Sequence, residues 1–317
     1  MLSFIFSSEI NTLLGMAFSI GLCFLLLVAL RDKLPQDQGR AFAVEGQLSK
    51  GKARGAGIIF VAVFCLVALL FDKGMNVEKA VYLVIILLTM LTGYFDDASK
   101  TPWNEYVKGA LDLVLAIGVA VNYLYHNGNS LYIGFLGGKE LSLPTWLYGI
   151  LIVALVWASI NVVNCTDGVD GLSSALTIVT LGSFYLTGFL EEEAAVLFFI
   201  CVLLPYLWFN SNPSSILMGD AGSRAMGMMI AITALLCRHP LLFLPFTIVM
   251  ILDGGLGLIK VSLLRFLKIS ILKNTKCPLH DHYRKTKGWS NTQVDYRFVV
   301  TQFIVSGIYL AFIRIFN

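Results

Sequence analysis

Apolar runs long enough to cross a bilayer recur along this chain, each closed by a short polar segment. A hydrocarbon core of about 30 Å needs roughly 17–25 apolar residues in helical form. Ten segments fit: 10–30, 55–71, 79–95, 106–124, 144–160, 172–190, 194–210, 222–237, 240–264 and 297–315. The pattern predicts an all-α polytopic membrane protein of about ten transmembrane helices. No internal repeat and no linker interrupts it, so residues 1–317 read as a single integral membrane domain. Between the fourth and fifth spans, LYIGFLGGKELSL (Leu131 to Leu143) sets apolar runs on either side of Gly137-Gly138, the pattern of a small β-hairpin.

Composition excludes a soluble domain: 57% of residues are hydrophobic and 14% charged, against about a quarter charged in soluble proteins. Mean hydropathy is +0.78. The first apolar run has no basic residue before it and no small-residue cleavage pattern after it, so it reads as a retained span. The six cysteines, Cys23, Cys65, Cys165, Cys201, Cys237 and Cys277, show no CxxC and no zinc-type spacing, which argues against a disulfide framework and a metal-thiolate site. Net charge is only +3, but its placement is informative. Eighteen of the 23 lysines and arginines lie in or beside the loops at 31–54, 96–105, 161–171, 211–221 and 265–296. Lys73, Lys79, Lys139, Arg238 and Arg314 fall to the other side. The positive-inside rule makes the first set cytoplasmic and leaves both termini and the hairpin outside.

That orientation sorts the polar residues. Asp96-Asp97 in GYFDDASK, Asp167 and Asp170 in NVVNCTDGVDG, and Asp220 in LMGDAGS all fall at cytoplasmic ends of spans. Asp167 and Asp170 are three apart and share a face if the segment opens a helix; the alternative is a polar turn using Asp and Gly as cap and breaker. Crowded carboxylates near a membrane are costly unless a cation or hydrogen bonds neutralise them. All-oxygen ligands suit Mg²⁺ or Mn²⁺, and Asp220 between Gly219 and Gly222 is placed for close approach to such an ion. A solvated turn is the alternative for Asp96-Asp97, and an ordinary Asp turn for Asp220.

On the same side, HDHYRKTKGW brings His280, His282, Arg284, Lys285 and Lys287 together, a set suited to a phosphate or diphosphate. The two histidines share no helical face at that spacing and converge only in an extended loop. GQLSKGKA (Gly46 to Ala53) matches a phosphate-binding loop except for Ala53, and no strand precedes it. It reads instead as a basic loop whose Lys50, Lys52 and Arg54 meet lipid headgroups or an anionic substrate.

FDDASK, NVVNCTDGVDGL, WFNSNPSSILMGDAGS and PLHDHYRKTKGWS together resemble the motifs of the polyprenyl-phosphate N-acetylhexosamine-1-phosphate transferases. The last resembles the phospho-N-acetylmuramoyl-pentapeptide transferase branch. The resemblance implies ten helices in the bacterial cytoplasmic (inner) membrane and an active site on the cytoplasmic face. It further implies Mg²⁺-dependent transfer of phospho-MurNAc-pentapeptide from UDP-MurNAc-pentapeptide to undecaprenyl phosphate, giving lipid I and UMP for peptidoglycan synthesis. Asp96, Asp97 and Asp220 match its catalytic residues, with Asp220 the metal ligand. Asn161, Asn164, Asp167, Gly168 and Asp170 match its nucleotide and active-site segment, and Asn210 and Leu217 the surroundings of the uridine. Lys100, Lys108, His280 and His282 are expected to face the phosphates. Membrane lipids are expected partners and nucleic acid is not; the oligomeric state is open, a homodimer being one option.

The chain departs from that family's pattern at three places. Asp281 stands between the two histidines where three consecutive histidines are usual. Leu217 stands where an aromatic is frequent, and Lys52-Ala53-Arg54-Gly55 replaces a Pro-Thr-Met-Gly sequence. Two rivals frame the reading. One is the same chemistry on another sugar, such as UDP-GlcNAc; the other is a transporter, which would place its carboxylates near the bilayer midplane rather than at one face.

Overall fold

The computed structural model describes residues 7–39, 49–99, 101, 103–133, 139–190 and 193–316. Each of the ten apolar segments falls on helix. In chain order the elements are α1 (Ser8–Leu30), β1 (Ala53–Arg54), α2 (Gly57–Phe71), α3 (Val77–Ala98), α4 (Glu105–Asn127), β2 (Ser130–Ile133), β3 (Lys139–Ser142), α5 (Thr145–Thr166), α6 (Leu172–Leu186) and α7 (Ala194–Asn210). They continue with β4 (Ile216–Leu217), α8 (Gly219–Leu236), α9 (Phe243–Phe246), α10 (Ile248–Met250), α11 (Leu256–Leu267), α12 (Leu279–Lys287) and α13 (Asn291–Phe316).

α8 is the axis of the bundle. Every residue from Gly219 to Leu235 is buried, and α2, α3, α5 and α6 pack around it. The helix is rich in Gly, Ala and Ser, so neighbouring backbones come close. A Cβ on Gly57 of α2 would lie 2.1 Å from the backbone nitrogen of Gly222, and only a residue without a side chain fits there. Membrane helices use such small-residue contacts because lipid supplies no hydrophobic drive between them. The bundle's outside is apolar in turn: Leu13 and Leu25 on α1 and Phe303 on α13 are each about two-thirds exposed, as a lipid-facing surface requires.

Length and composition support only part of the expected number of crossings. Among the described residues, five helices are long and apolar enough to span a bilayer, or six if the bent segment at 240–267 counts as one. Gly57–Phe71 and Leu172–Leu186 have only 15 residues, about 22 Å of helix at 1.5 Å per residue. Both are mostly buried against neighbouring helices, so protein rather than lipid meets much of their surface. Hydropathy alone does not distinguish that environment from a full crossing.

The segment expected as one span over 240–264 is broken. Pro240–Phe246 and Ile248–Leu267 meet at 68°, and a π-helical turn at Ile251–Gly255 follows the break. The turn carries the buried Asp253. Outside the bundle, β2 and β3 pair antiparallel from Ser130↔Ser142 to Ile133↔Lys139; the expected turn at Gly137-Gly138 lies outside the described residues. β1 and β4 form a two-residue parallel pair, Ala53↔Ile216 and Arg54↔Leu217. This short pairing fastens the loop before α2 to the entrance of α8.

Candidate active site

Three helix ends meet at the site. α3 ends at Ala98, so Asp96 and Asp97 lie in its last turn. Asn104 caps α4, its side chain accepting from the Tyr106 N–H at 2.8 Å, and Lys108 follows in the first turn. α8 begins at Gly219, placing Asp220 in its first turn. One carboxylate oxygen from each of Asp96, Asp97 and Asp220 lies within 4.8 Å of the other two.

Each carboxylate is held. Asp97 accepts from the Ala221 N–H at 3.2 Å, where the exposed N–H groups and dipole of α8 favour a negative charge. Gly219 makes this possible: its φ is +68°, and a Cβ there would lie 2.1 Å from an Asp97 oxygen. Asp96 accepts from the Trp103 N–H at 2.7 Å, which closes the turn between α3 and α4. Lys108 Nζ pairs with Asp96 and lies 3.0 Å from Asp220 Oδ2. Arg54 Nε donates to Asp97 Oδ1 at 2.8 Å, and its Nη2 lies 3.5 Å from Asp220 Oδ1. Its Nη1 reaches Asp37 at 3.4 Å. Burial opposes the charge on Arg54, but Asp97, Asp220 and Asp37 outweigh it and hold its pKa above the ordinary arginine value.

The segment Asn161–Gly171 does not open a helix at its aspartates. Asp167 caps the end of α5, Gly171 with φ +89° starts α6, and the residues between form a polar turn. Asp167 accepts from Ser173 Oγ at 2.7 Å. Asp170 accepts from the Ser214 N–H at 3.0 Å and lies 3.8 Å from Lys52 Nζ. Asn164 donates to Ser223 Oγ at 2.8 Å, one turn along α8 from Asp220. Asn161 donates to the Trp157 carbonyl of its own helix. Asn210 is buried and occupied by backbone: it accepts from the Gly171 N–H and donates to the Ile216 carbonyl, both at 2.9 Å. It thereby ties the polar turn to β4 and the half-buried Leu217.

His280 and His282 are not in an extended loop. Both lie on α12, and the helix turns them apart. His280 is buried, with its backbone N–H and Nδ1 on the two oxygens of Asp253 at 2.7 and 2.8 Å. Its Nε2 presses against Gly168, where a Cβ would lie 2.2 Å away. His282 instead receives the Lys276 N–H at 3.3 Å, so the pair does not converge. Asp281 lies 2.9 Å from Lys285 and 3.6 Å from Arg284. Trp289 stacks on Tyr283 at 4.2 Å and under Arg297 at 4.1 Å, fastening α12 to α13. Lys100 lies outside the described residues.

Sequence reasoning assigned Arg54 to headgroups or substrate, whereas its guanidinium is turned onto the carboxylates. Asp37 and Asp253 were not singled out. Asp253 left a signal, as a single charge inside an apolar segment; Asp37 in a polar loop left none. The buried pair Asp112 and Arg224 left the same kind of signal.

Close carboxylates at a helix N-terminus, ringed by the cations Arg54 and Lys108, suit chemistry on phosphate groups. Residues 79–238 match the family model described as Glycosyl transferase family 4. The chain is 40% identical to the phospho-N-acetylmuramoyl-pentapeptide-transferase of Treponema pallidum (strain Nichols), covering 92% of this chain and 86% of that one. It is 30% identical to the enzyme of that name from Clostridium acetobutylicum, over 75% of this chain and 77% of the relative. For the one from Lacticaseibacillus paracasei the identity is 29%, over 87% and 89%. With the match reaching from the helix of Asp96 and Asp97 through Asp220 to the end of α8, the chain belongs to glycosyl transferase family 4 and, within it, to the phospho-N-acetylmuramoyl-pentapeptide-transferases.

Proposed function

We propose that this chain transfers phospho-MurNAc-pentapeptide from UDP-MurNAc-pentapeptide to undecaprenyl phosphate, releasing UMP and forming lipid I. The observation that carries the reading is the 40% identity to a transferase of that name over 92% of this chain. The gathering of Asp96, Asp97 and Asp220 supports a reacting centre at the helix ends. The charge bias of the loops supports a cytoplasmic site in a single ten-segment membrane domain, with both termini and the β2–β3 pair outside.

The donor set fits Mg²⁺: three carboxylates with oxygens within 4.8 Å offer hard ligands and leave positions for phosphate oxygens and water. Asp220 would hold the ion beside Asp97, and a bound Mg²⁺ would supply charge neutralisation on the diphosphate. The remaining work belongs to the chain. Lys108 brings a cation to the substrate phosphates from the first turn of α4. Asp96, fixed by Trp103 and Lys108, orients the attacking lipid phosphate. A phosphate monoester is largely ionised near neutral pH, its second pKa being about 6, so an oxygen of that phosphate attacks the β-phosphorus directly and UMP leaves. Asn164, Asp170 and Lys52 serve as substrate contacts. His280, held by Asp253, supports the turn at Gly168.

Two measurements test this. Purified protein in detergent with undecaprenyl phosphate and Mg²⁺ is expected to release UMP from UDP-MurNAc-pentapeptide and not from UDP-GlcNAc. Release from UDP-GlcNAc alone would move the chain to another surface polymer. Separately, Asp253→Ala is expected to lower kcat by roughly tenfold or more, as loss of a histidine's orienting partner does. An unchanged kcat would remove His280 from the working site.

A further inference from the structure

Arg54 occupies the carboxylate site rather than lining it. The β1–β4 pairing, the bond from the Arg54 N–H to the Pro35 carbonyl at 2.8 Å and the turn at Gly55, with φ +88°, fix its backbone beside the entrance of α8. Its three guanidinium nitrogens then address three carboxylates from three parts of the chain: Asp97, Asp220 and Asp37. The two oxygens of Asp220 are divided, Oδ1 facing Arg54 and Oδ2 facing Lys108. A divalent cation bound by Asp97 and Asp220 must therefore take oxygens that the guanidinium already faces. Two cations a few ångströms apart repel strongly where water is scarce, so the guanidinium and the metal compete for these oxygens. Asp37 offers the displaced guanidinium a second anchor. Its side chain is 4% exposed and it faces Nη1, the guanidinium nitrogen that neither Asp97 nor Asp220 meets.

We propose that Arg54 is a built-in competitor for the divalent cation: it holds Asp97 and Asp220 while no metal is bound, and yields them by turning to Asp37 when the metal enters. Arg54 is thus a positioning residue, acting through the two carboxylates. The inference rests on the reading of Asp220 as a metal ligand. It goes beyond that reading because it makes metal affinity a property of this chain's own arginine. In the free protein the carboxylates stay neutralised and preformed, and the metal binds weakly until a negatively charged diphosphate adds its own attraction.

The test is Mn²⁺ binding to the full chain in detergent, without nucleotide or lipid, followed by the electron paramagnetic resonance of free Mn²⁺. Arg54→Met is expected to bind Mn²⁺ at least tenfold more tightly than the parent protein. Arg54→Lys, which keeps the charge but loses the three-way fork, is expected to fall between them, and it serves if the methionine variant fails to fold. Asp37→Asn, which removes the second anchor, is expected to shift affinity the opposite way, at least threefold weaker. A merely structural arginine would move none of these in that order. Equal or weaker binding by both Arg54 variants, or no Mn²⁺ binding by any variant, overturns the proposal. Asp220→Asn separates the two readings. If it binds Mn²⁺ like the parent, the metal assignment falls; if it abolishes binding while Arg54→Met and Arg54→Lys match the parent, the assignment stands and the competitor falls.

Discussion

Asp220→Asn is expected to lose Mg²⁺-dependent UMP release by about a thousandfold, the scale on which a group stabilising transition-state charge counts, while the protein still folds. Retained folding follows from how the charges are shared. Lys108 keeps Asp96 and Arg54 keeps Asp97 and Asp37 when Asp220 becomes neutral, so no cation is left alone. The amide also keeps the shape of the carboxylate at the buried N-terminus of α8. Loss of turnover with an unchanged melting temperature in detergent would mark a chemical role. Turnover near that of the parent across a Mg²⁺ titration would defeat the assignment of Asp220 as metal ligand.

The second large effect lies one helical turn deeper. Asp112 on α4 and Arg224 on α8 are each 2% exposed and pair through Arg224 Nε at 3.2 Å and Nη2. Breaking one side of a buried pair costs roughly 3–5 kcal/mol because the other charge stays behind unmatched. Asp112→Ala is therefore expected to lower the melting temperature by at least about 5 °C, given roughly 2–4 °C per kcal/mol in domains of a few hundred residues. It is also expected to lower turnover. Asp112 follows Lys108 by four residues and Arg224 follows Asp220 by four, so the ion pair lies under the Lys108–Asp220 contact on the same helix faces. Replacing both partners, as Asp112→Leu with Arg224→Met, removes the stranded charge and is expected to recover most of the stability. A single variant that melts within about 1 °C of the parent, or a double variant no better than the single, would show that the pair does not set the distance between α4 and α8.

These two predictions draw on residues of different legibility. Asp220 was readable because a carboxylate between glycines at the end of an apolar run is costly without a purpose, and its motif carries a family resemblance. Asp112 and Arg224 were each visible as single charges within apolar runs, yet nothing in the order of residues says that they meet. They are 112 positions apart. The same distance in sequence joins Lys108 to Asp220, while 43 positions separate Arg54 from Asp97. Such pairings depend on which helix faces turn towards α8, and that is settled by close backbone approach at residues such as Gly57 and Gly93.

The sequence by itself determined the membrane character, the ten helical segments and the three aspartates at helix ends. The reason is local: a long apolar run in water, or a bare carboxylate at its end, carries a cost readable without knowing any neighbour. Tertiary structure decided the rest. It showed that some apolar segments are short helices buried largely against protein, because burial between helices and burial in lipid demand the same apolar residues. It turned Asp167 to Asp170 into a turn, separated His280 from His282, and broke the segment at 240–267 around Asp253. It also placed Arg54 on Asp97 and Asp220, since a guanidinium on a two-residue strand takes its partners from whatever helix ends the packing brings within reach.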